Sequence, residues 1–414
     1  MQAIRFKEGF VAGVATAATQ IDGDCKNSNW YDWYKRGNIK DGSNPDIATE
    51  HRKRLKEDTG LLVSLGIRNY RFGLEWARIE PECGKFCEEE FALVRRELEL
   101  LKAGGVRPLL TIHHFSNPMW FEKQGGFCNR AGVECYLRLV SEVVKRLGDL
   151  VSEYITINEP NVYAMNGYFA GTWPPGKNSL SATLRVMKNM GVCHRRAYEL
   201  IHKLRSDMGY SDTRVSYAHH MRAYAPKNHK NLWHRFCTPI VRYLFQDRIS
   251  KTYLKEGGKL FCDFHAVNYY SRTAVEGLRD GTFDNVDKND LGWEIYPKGL
   301  IVCARELYEL ARLPIYVTEN GTCDNEDSFR ARYIYEHLKE IVQSELPIER
   351  YYHWCFVDNF EWIEGMAARF GLVRLKADMD REVKASGRFY AEMIENGGVT
   401  DDMIERYCKQ EYHK

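Results

Sequence analysis

Two glutamates stand at matching places in the chain. Glu319 closes the run Leu-Pro-Ile-Tyr-Val-Thr-Glu-Asn-Gly over 313–321, and Glu159 closes Tyr-Ile-Thr-Ile-Asn-Glu-Pro over 154–160. Each run is apolar and β-branched, then breaks off at a carboxylate beside Asn and a turn-forming Gly or Pro. That pattern reads as a buried parallel strand whose last side chain emerges into a loop. A lone glutamate in such a place is as readily a solvated cap before a turn. A pair changes the reading, because hydrolysis of a glycosidic bond uses two carboxyl groups, placed roughly 5–5.5 Å apart when configuration is retained.

Other candidate strand ends carry a consistent set of groups: Gln20; Arg71 and Trp76; His113 and His114; Asn158; His219 and His220; Asn268, Tyr269 and Tyr270; Asn320; then Trp354 and, further on, Glu361 and Trp362. Amides, carboxylates, imidazoles and indoles supply hydrogen bonds and stacking faces, which suits a neutral polyhydroxylated ligand. Side chains alternate along a strand, so one ring of the pair His113–His114 faces the ligand and the other packs. No three histidines or carboxylates fall at metal-ligand spacing, and Cys83 and Cys87 lack a partnering pair. The expectation is no metal and no cofactor.

The elements that must position these groups alternate along the chain. Strand patterns fall at 9–18, 69–76, 107–115, 154–160, 214–220, 263–270, 314–321 and 349–358. Helical patterns fall at 48–65, 88–103, 130–147, 179–208, 238–256, 298–312, 328–345 and 384–396, and a short final helix is expected beyond Thr400. Eight strands with helices between them fit an α/β fold of one (β/α)8 barrel, a TIM barrel spanning residues 1–414 as a single domain. A doubly wound sheet would want a glycine-rich first turn for a nucleotide, and 9–13 offers only Gly-x-x-x-Gly. In a barrel the C-terminal ends of all eight strands face one bowl, so the groups named above would meet there.

Composition fits this picture. The 414 residues are 44% hydrophobic and 28% charged, the mark of a globular chain long enough for a large core. Lys and Arg number 59 against 57 Asp and Glu, and this near balance gives no electrostatic reason to expect nucleic acid or an anionic membrane. The N-terminal residues lack the apolar stretch of a signal peptide, and no apolar run approaches the ~20 residues of a membrane helix. The twelve scattered cysteines then read as reduced thiols, and the protein as cytoplasmic.

A family resemblance runs nearly the length of the chain. Gln20-Ile-Asp-Gly, Tyr70-Arg-Phe, Trp76-Ala-Arg-Ile, His114, Thr156-Ile-Asn-Glu-Pro160, Asn268-Tyr-Tyr270, Thr318-Glu-Asn-Gly321, and Trp354 followed by Asp358-Asn-Phe-Glu-Trp362 and Arg369-Phe-Gly-Leu372 together resemble glycoside hydrolase family 1. The resemblance implies a retaining β-glycosidase, of the β-glucosidase or β-galactosidase kind. Glu319 would be the nucleophile and Glu159 the acid/base. Arg71 and Tyr270 would support the nucleophile, and Asn158 would hold the 2-hydroxyl. Gln20, His114, Glu361 and Trp362 match the positions that hold the 3-, 4- and 6-hydroxyls, Trp354 would stack on the sugar face, and Asn268 would orient Tyr270. A charged Glu319 would also raise the pKa of Glu159 by repulsion, so that Glu159 starts protonated.

The chain departs from the family pattern at Asp22, where Glu is usual, and at Asn117, where an acidic residue is commoner. It is short for the family, and Tyr168, Trp173 and the Trp30–Trp33 region are the candidates for lining the aglycone side. A 6-phospho-β-glycosidase is the nearest rival, disfavoured by the carboxylates of Glu361 and Glu364. A non-catalytic sugar-binding receptor is the rival from another class, disfavoured by the presence of both Glu159 and Glu319.

Overall fold

The computed structural model describes residues 1–413. Its centre is a closed barrel of eight parallel strands: β1 (Val11–Ala15), β2 (Asn69–Gly73), β3 (Arg107–His113), β4 (Glu153–Asn158), β5 (Arg214–Pro226), β6 (His265–Glu276), β7 (Ile315–Asn320) and β8 (Ile348–Trp354). Each strand pairs with its neighbours in chain order, β8 returns to β1, and β5 pairs with β6 to complete the ring. All eight parallel strands expected from the sequence are present, and the fold is the (β/α)8 barrel.

Helices follow the strands around the outside: α1 (Leu55–Ser64), α2 (Glu88–Ala103), α3 (Gly132–Leu147), α4 (Leu180–Asp207), α5 (Leu232–Arg242), α6 (Lys298–Leu310), α7 (Arg330–Gln343) and α8 (Ala385–Asn396). On α3 the residues Val133, Tyr136, Val140, Val143, Val144 and Leu147 recur three and four apart and are all buried, so one apolar stripe seats the helix on the barrel. The apolar core accordingly has two parts. A large cluster fills the space between strands and helices, and a smaller one, including Ala15, Leu109, Ile155, Ala218, Ala266, Tyr316 and Tyr352, fills the barrel itself. Strands buried on both faces, such as β4 and β7, explain the continuous apolar runs in the sequence.

Several boundaries differ from the sequence expectation: the strands expected over 214–220 and 263–270 continue as β5 and β6 to Pro226 and Glu276, and those expected over 69–76 and 349–358 end at Gly73 and Trp354. The helix expected over 48–65 begins only at Leu55, because Ala48 and Glu50 take left-handed φ values of 46° and 56°. The strand expected over 9–18 ends at Ala15, and Gln20 sits on the short helix Ala18–Ile21. The helix expected over 238–256 begins earlier, at Leu232, where the Asn231 side chain accepts from Trp233 N at 2.9 Å. Pro239 lies inside α5. It removes the donor for the Arg235 carbonyl, and both residues lie on the exposed side, where solvent can replace that bond. A wider turn over Tyr243–Asp247 then leads into Arg248–Leu254. The final helix, Asp401–Tyr407, is capped by Thr400.

A polar tie crosses the end of the barrel opposite the bowl. Arg350 of β8 grips Glu153 of β4 with both terminal nitrogens, one contact measuring 2.7 Å, and both residues are buried. Removing one partner strands the other charge, so Arg350→Met should cost about 3–5 kcal/mol of stability. Chemical denaturation of the variant checks this. The doubly apolar variant, with Glu153→Leu added, should recover most of the loss.

Candidate active site

Glu319 is the fifth residue of β7 and is almost wholly buried at the mouth of the barrel. Its partners come from the adjoining β6 and from β2 across the barrel mouth. On β2, Tyr70 and Phe72 stack at 5.5 Å in the outer core, and the alternation turns Arg71 inward. Arg71 forms an ion pair with Glu319 and donates to Asn158 Oδ1 at 2.6 Å and Thr318 O at 3.2 Å. Tyr270 donates its hydroxyl to the other Glu319 oxygen at 2.6 Å. The nucleophile candidate therefore has a cation on one oxygen and a phenol on the other.

Glu159 follows β4 with a left-handed φ of 41°. Pro160 disfavours a right-handed helical conformation for the residue before it, and Glu159 N donates to Ala218 O at 2.8 Å, which holds this conformation. One oxygen, Oε1, takes two donors: Asn268 Nδ2 at 2.8 Å and His220 Nδ1 at 3.1 Å. Oε2 is left to face the cavity that Glu159 and Glu319 both line. Asn268 ties the two carboxylate regions together, since it also donates to Asn158 at 3.0 Å and accepts from Thr318 at 2.7 Å.

The remaining sequence-identified groups surround the same space. Asn158 donates to His114 Nε2 at 3.0 Å, which fixes the His114 proton on Nδ1. Burial and the nearby Arg71 keep the His114 pKa well below its ordinary value, so the ring is neutral. Nδ1 of His114 and Oε1 of Gln20 are both buried without a protein partner among the described residues. Gln20 also donates to Glu361 at 3.1 Å, and the Trp354 indole donates to the same carboxylate. His114 lies between the indoles of Trp354 and Trp362, near parallel to each with ring centres 5.8 Å apart. His113 packs away from the cavity against Phe127 and Tyr163, as the alternation required.

Two aglycone candidates are corrected. Tyr168 is fully buried against Tyr163, and Trp30 is buried behind Trp362; of that group only Trp173 reaches the cavity. The departures are accommodated locally. Asp22 pairs with Arg78, and Asn117 is buried between His113, Glu122 and Tyr163.

The electrostatics revise one expectation. Burial raises the Glu159 carboxyl, yet a charge on His220, with hydrogen bonds from His220 and Asn268, would bring it below the ordinary range. Repulsion from Glu319 therefore does not by itself set Glu159, as the sequence had suggested. Arg222, which the sequence did not mark, decides what His220 contributes. Its Nε–H donates to His220 Nε2 at 3.2 Å, so the ring is neutral with its proton on Nδ1, and Glu159 receives one hydrogen bond instead of a charge. Burial, then Glu159, pushes Glu319 up to about 7 against the pull of Arg71 and Tyr270. The two carboxyls titrate as a pair. Among the described residues the buried guanidinium of Arg71 forms an ion pair with no carboxylate but Glu319, which favours the charge on Glu319 and the proton on Glu159. Burial also pushes Glu361 up to about 8.

The comparisons agree with this geometry. Residues 2–235 and 262–399 match the sequence profile of Glycosyl hydrolase family 1. The chain is 30% identical to Beta-glucosidase A of Thermotoga maritima, over 97% of this chain and all of that protein. It is 26% identical to a beta-galactosidase of Pyrococcus woesei, over 98% of this chain and all of that protein. Among solved structures, a beta-glycosidase from Pyrococcus horikoshii superposes with a TM-score of 0.90 at 30% identity, covering 98% of each chain. The T. maritima beta-glucosidase in complex with glucoimidazole gives 0.87 at 27% identity, covering 95% of this chain and 99% of that one. A profile match over most of the chain and paired carboxylates at the mouth of a (β/α)8 barrel lead to one assignment: the chain is a glycoside hydrolase and belongs to glycosyl hydrolase family 1.

Proposed function

We propose that this enzyme is a retaining, exo-acting β-glycosidase that cleaves unphosphorylated β-D-glucosides or β-D-galactosides by double displacement. The observation that carries this reading is the convergence of two differently dressed carboxyls on one cavity. Glu319, held by Arg71 and Tyr270, attacks the anomeric carbon. Glu159 delivers the proton on its free oxygen to the leaving group. Once Glu319 is esterified its charge is gone, and Glu159 takes a proton from the water that releases the sugar. Asn158 keeps one amide hydrogen for the 2-hydroxyl after donating the other to His114. The unpartnered His114 Nδ1–H and Gln20 Oε1, with Glu361, suit further hydroxyls, and Trp354 and Trp362 supply apolar faces. The names of the relatives support glucose or galactose as the glycone.

Glu361 and Glu364 both line the cavity; a phosphate dianion would meet roughly 1–4 kcal/mol of repulsion from a charged carboxylate there, and Glu361, which burial pushes up to about 8, adds that repulsion only once it ionises. That favours unphosphorylated sugars over the 6-phospho reading. Retention of both dressed carboxyls favours turnover over mere binding. We also read residues 1–414 as one catalytic unit, since the strand Ile4–Arg5 pairs with Gly398–Val399 near the other end of the chain. Twelve free cysteines, nine of them buried, support a reducing, cytoplasmic setting. The test is to follow the anomeric proton of the first product formed from a nitrophenyl β-glucoside. The β-anomer supports the proposal, and the α-anomer as first product rejects it.

The two donor sets should be separable by pH. Tyr270 stabilises ionised Glu319, so Tyr270→Phe raises that pKa and moves the acid limb of kcat/KM to higher pH. His220 stabilises ionised Glu159, so His220→Phe raises that pKa and moves the alkaline limb to higher pH. Hydrogen bonds to charged groups are worth ~1.5–3 kcal/mol, so each shift should be about one to two pH units. A shift of the wrong limb in either variant would reassign its partner.

A further inference from the structure

The chain's near-zero net charge conceals a concentrated one. Residues 227–260 carry eight Lys and Arg against two acidic residues, Asp247 and Glu256; Lys227, Arg242 and Lys259 pair with Glu276, Glu306 and Glu199 from outside the segment, and the segment still holds more cations than the acids that meet them. This segment contains α5, and residues 236–261 fall outside the family match. One face of α5 is seated: Cys237 and, one turn past its end, Phe245 are buried toward β5 and β6. A second face is bare. Leu232 is 74% exposed, Phe236 60% and Trp233 56%, and Ile240, Tyr243 and Leu244 continue the stripe along the same side. Trp233 and Phe236 stack at 5.7 Å. The Trp233 ring also lies against Gly277, in the hairpin whose tip holds the exposed Leu278. Lys230, Arg235 and Arg279 lie within or beside this face in sequence and are exposed, and among the described residues none of them forms an ion pair.

Six exposed apolar side chains along α5 and the wider turn that continues it, an interfacial Trp among them and unpaired cations at the margin, have the composition of a helix that lies in the headgroup region of a bilayer. A second copy of this chain would bring two local excesses of positive charge together, whereas an anionic lipid surface would neutralise them. We propose that α5 and the Leu278 hairpin form a docking face for an anionic membrane surface, holding the enzyme there peripherally without insertion of a spanning helix. The seated face behind the docking surface leads toward the cavity: Phe245 supports the Arg222 guanidinium at 4.5 Å, and Arg222 contacts His220 beside Glu159.

The test is co-sedimentation of the full-length protein with vesicles of phosphatidylcholine alone and of phosphatidylcholine enriched in phosphatidylglycerol. Partitioning onto the phosphatidylglycerol vesicles should exceed that onto the neutral ones by tenfold or more, and should fall steeply with added salt. Two double variants, Trp233→Ser with Phe236→Ser and Lys230→Glu with Arg235→Glu, should each lower that partitioning by about tenfold or more while melting like the parent, since the changes are on the surface. Equal affinity for both vesicle types, or none for either, would overturn the proposal. So would a concentration-dependent dimer in light scattering that the Phe236→Ser change abolishes, because a second copy would then occupy the face.

Discussion

Glu319→Ala should lower kcat by at least ~10⁴-fold on every β-glycoside, because no group remains to form the glycosyl ester. The structure adds a second expectation. Arg71 is fully buried and, among the described residues, Glu319 is its only carboxylate ion-pair partner, so the variant holds an uncompensated charge and should lose about 3–5 kcal/mol of stability. A small anion such as azide or formate can fill the space left by the carboxylate. It should act twice: as an external nucleophile, restoring turnover with inverted configuration in the product, and as a counter-charge to Arg71, raising the melting temperature of the variant above that of the salt-matched control. Glu319→Gln should show neither response, because the amide occupies the site. Rescue without inversion would move the nucleophile elsewhere.

The second large effect is expected at Glu159, and it depends on the leaving group. Glu159→Gln removes the proton but keeps the shape that Asn268 and His220 hold at Oε1. Substrates with poor leaving groups, such as disaccharides, need protonation and should lose about 10²–10⁴-fold in kcat/KM. A dinitrophenyl glycoside departs without help, so its kcat/KM should change little while its kcat falls, because the ester now accumulates for want of a base. Steady-state kinetics on a series of aryl glycosides of graded phenol acidity reads both effects. A flat response across the series would remove Glu159 from the acid role.

Much of this was legible in the chain because the informative groups lie at strand ends. The runs before Glu159 and Glu319 are apolar throughout because β4 and β7 are buried on both faces, and a carboxylate ending such a run has few places to be except the bowl. Arg71 was legible for a related reason, as a cation flanked by two aromatic residues within a strand. His220 was visible as a strand-end histidine, but its effect on Glu159 was not. That effect depends on which ring nitrogen bears the proton, and Arg222 bears on this through a contact with His220 two residues away, where β5 slips register against β6 between Met221 and Ala223. The start of α5 lies at Leu232 instead of the expected 238, and Pro239, a residue that usually ends or starts a helix, is tolerated inside it on the exposed side. The charge of residues 227–260 was hidden by averaging over the chain, since composition does not register where cations gather.

The single guanidinium of Arg71 holds both Glu319 and Asn158, and this limits how the enzyme can change over time. A substitution that retuned the reactive carboxylate would also displace the amide beside it, so mutational drift at either position is penalised at both. Divergence toward a new glycone is therefore channelled to the far wall of the cavity, where Gln20 and Glu361 answer to each other and make no contact with Arg71.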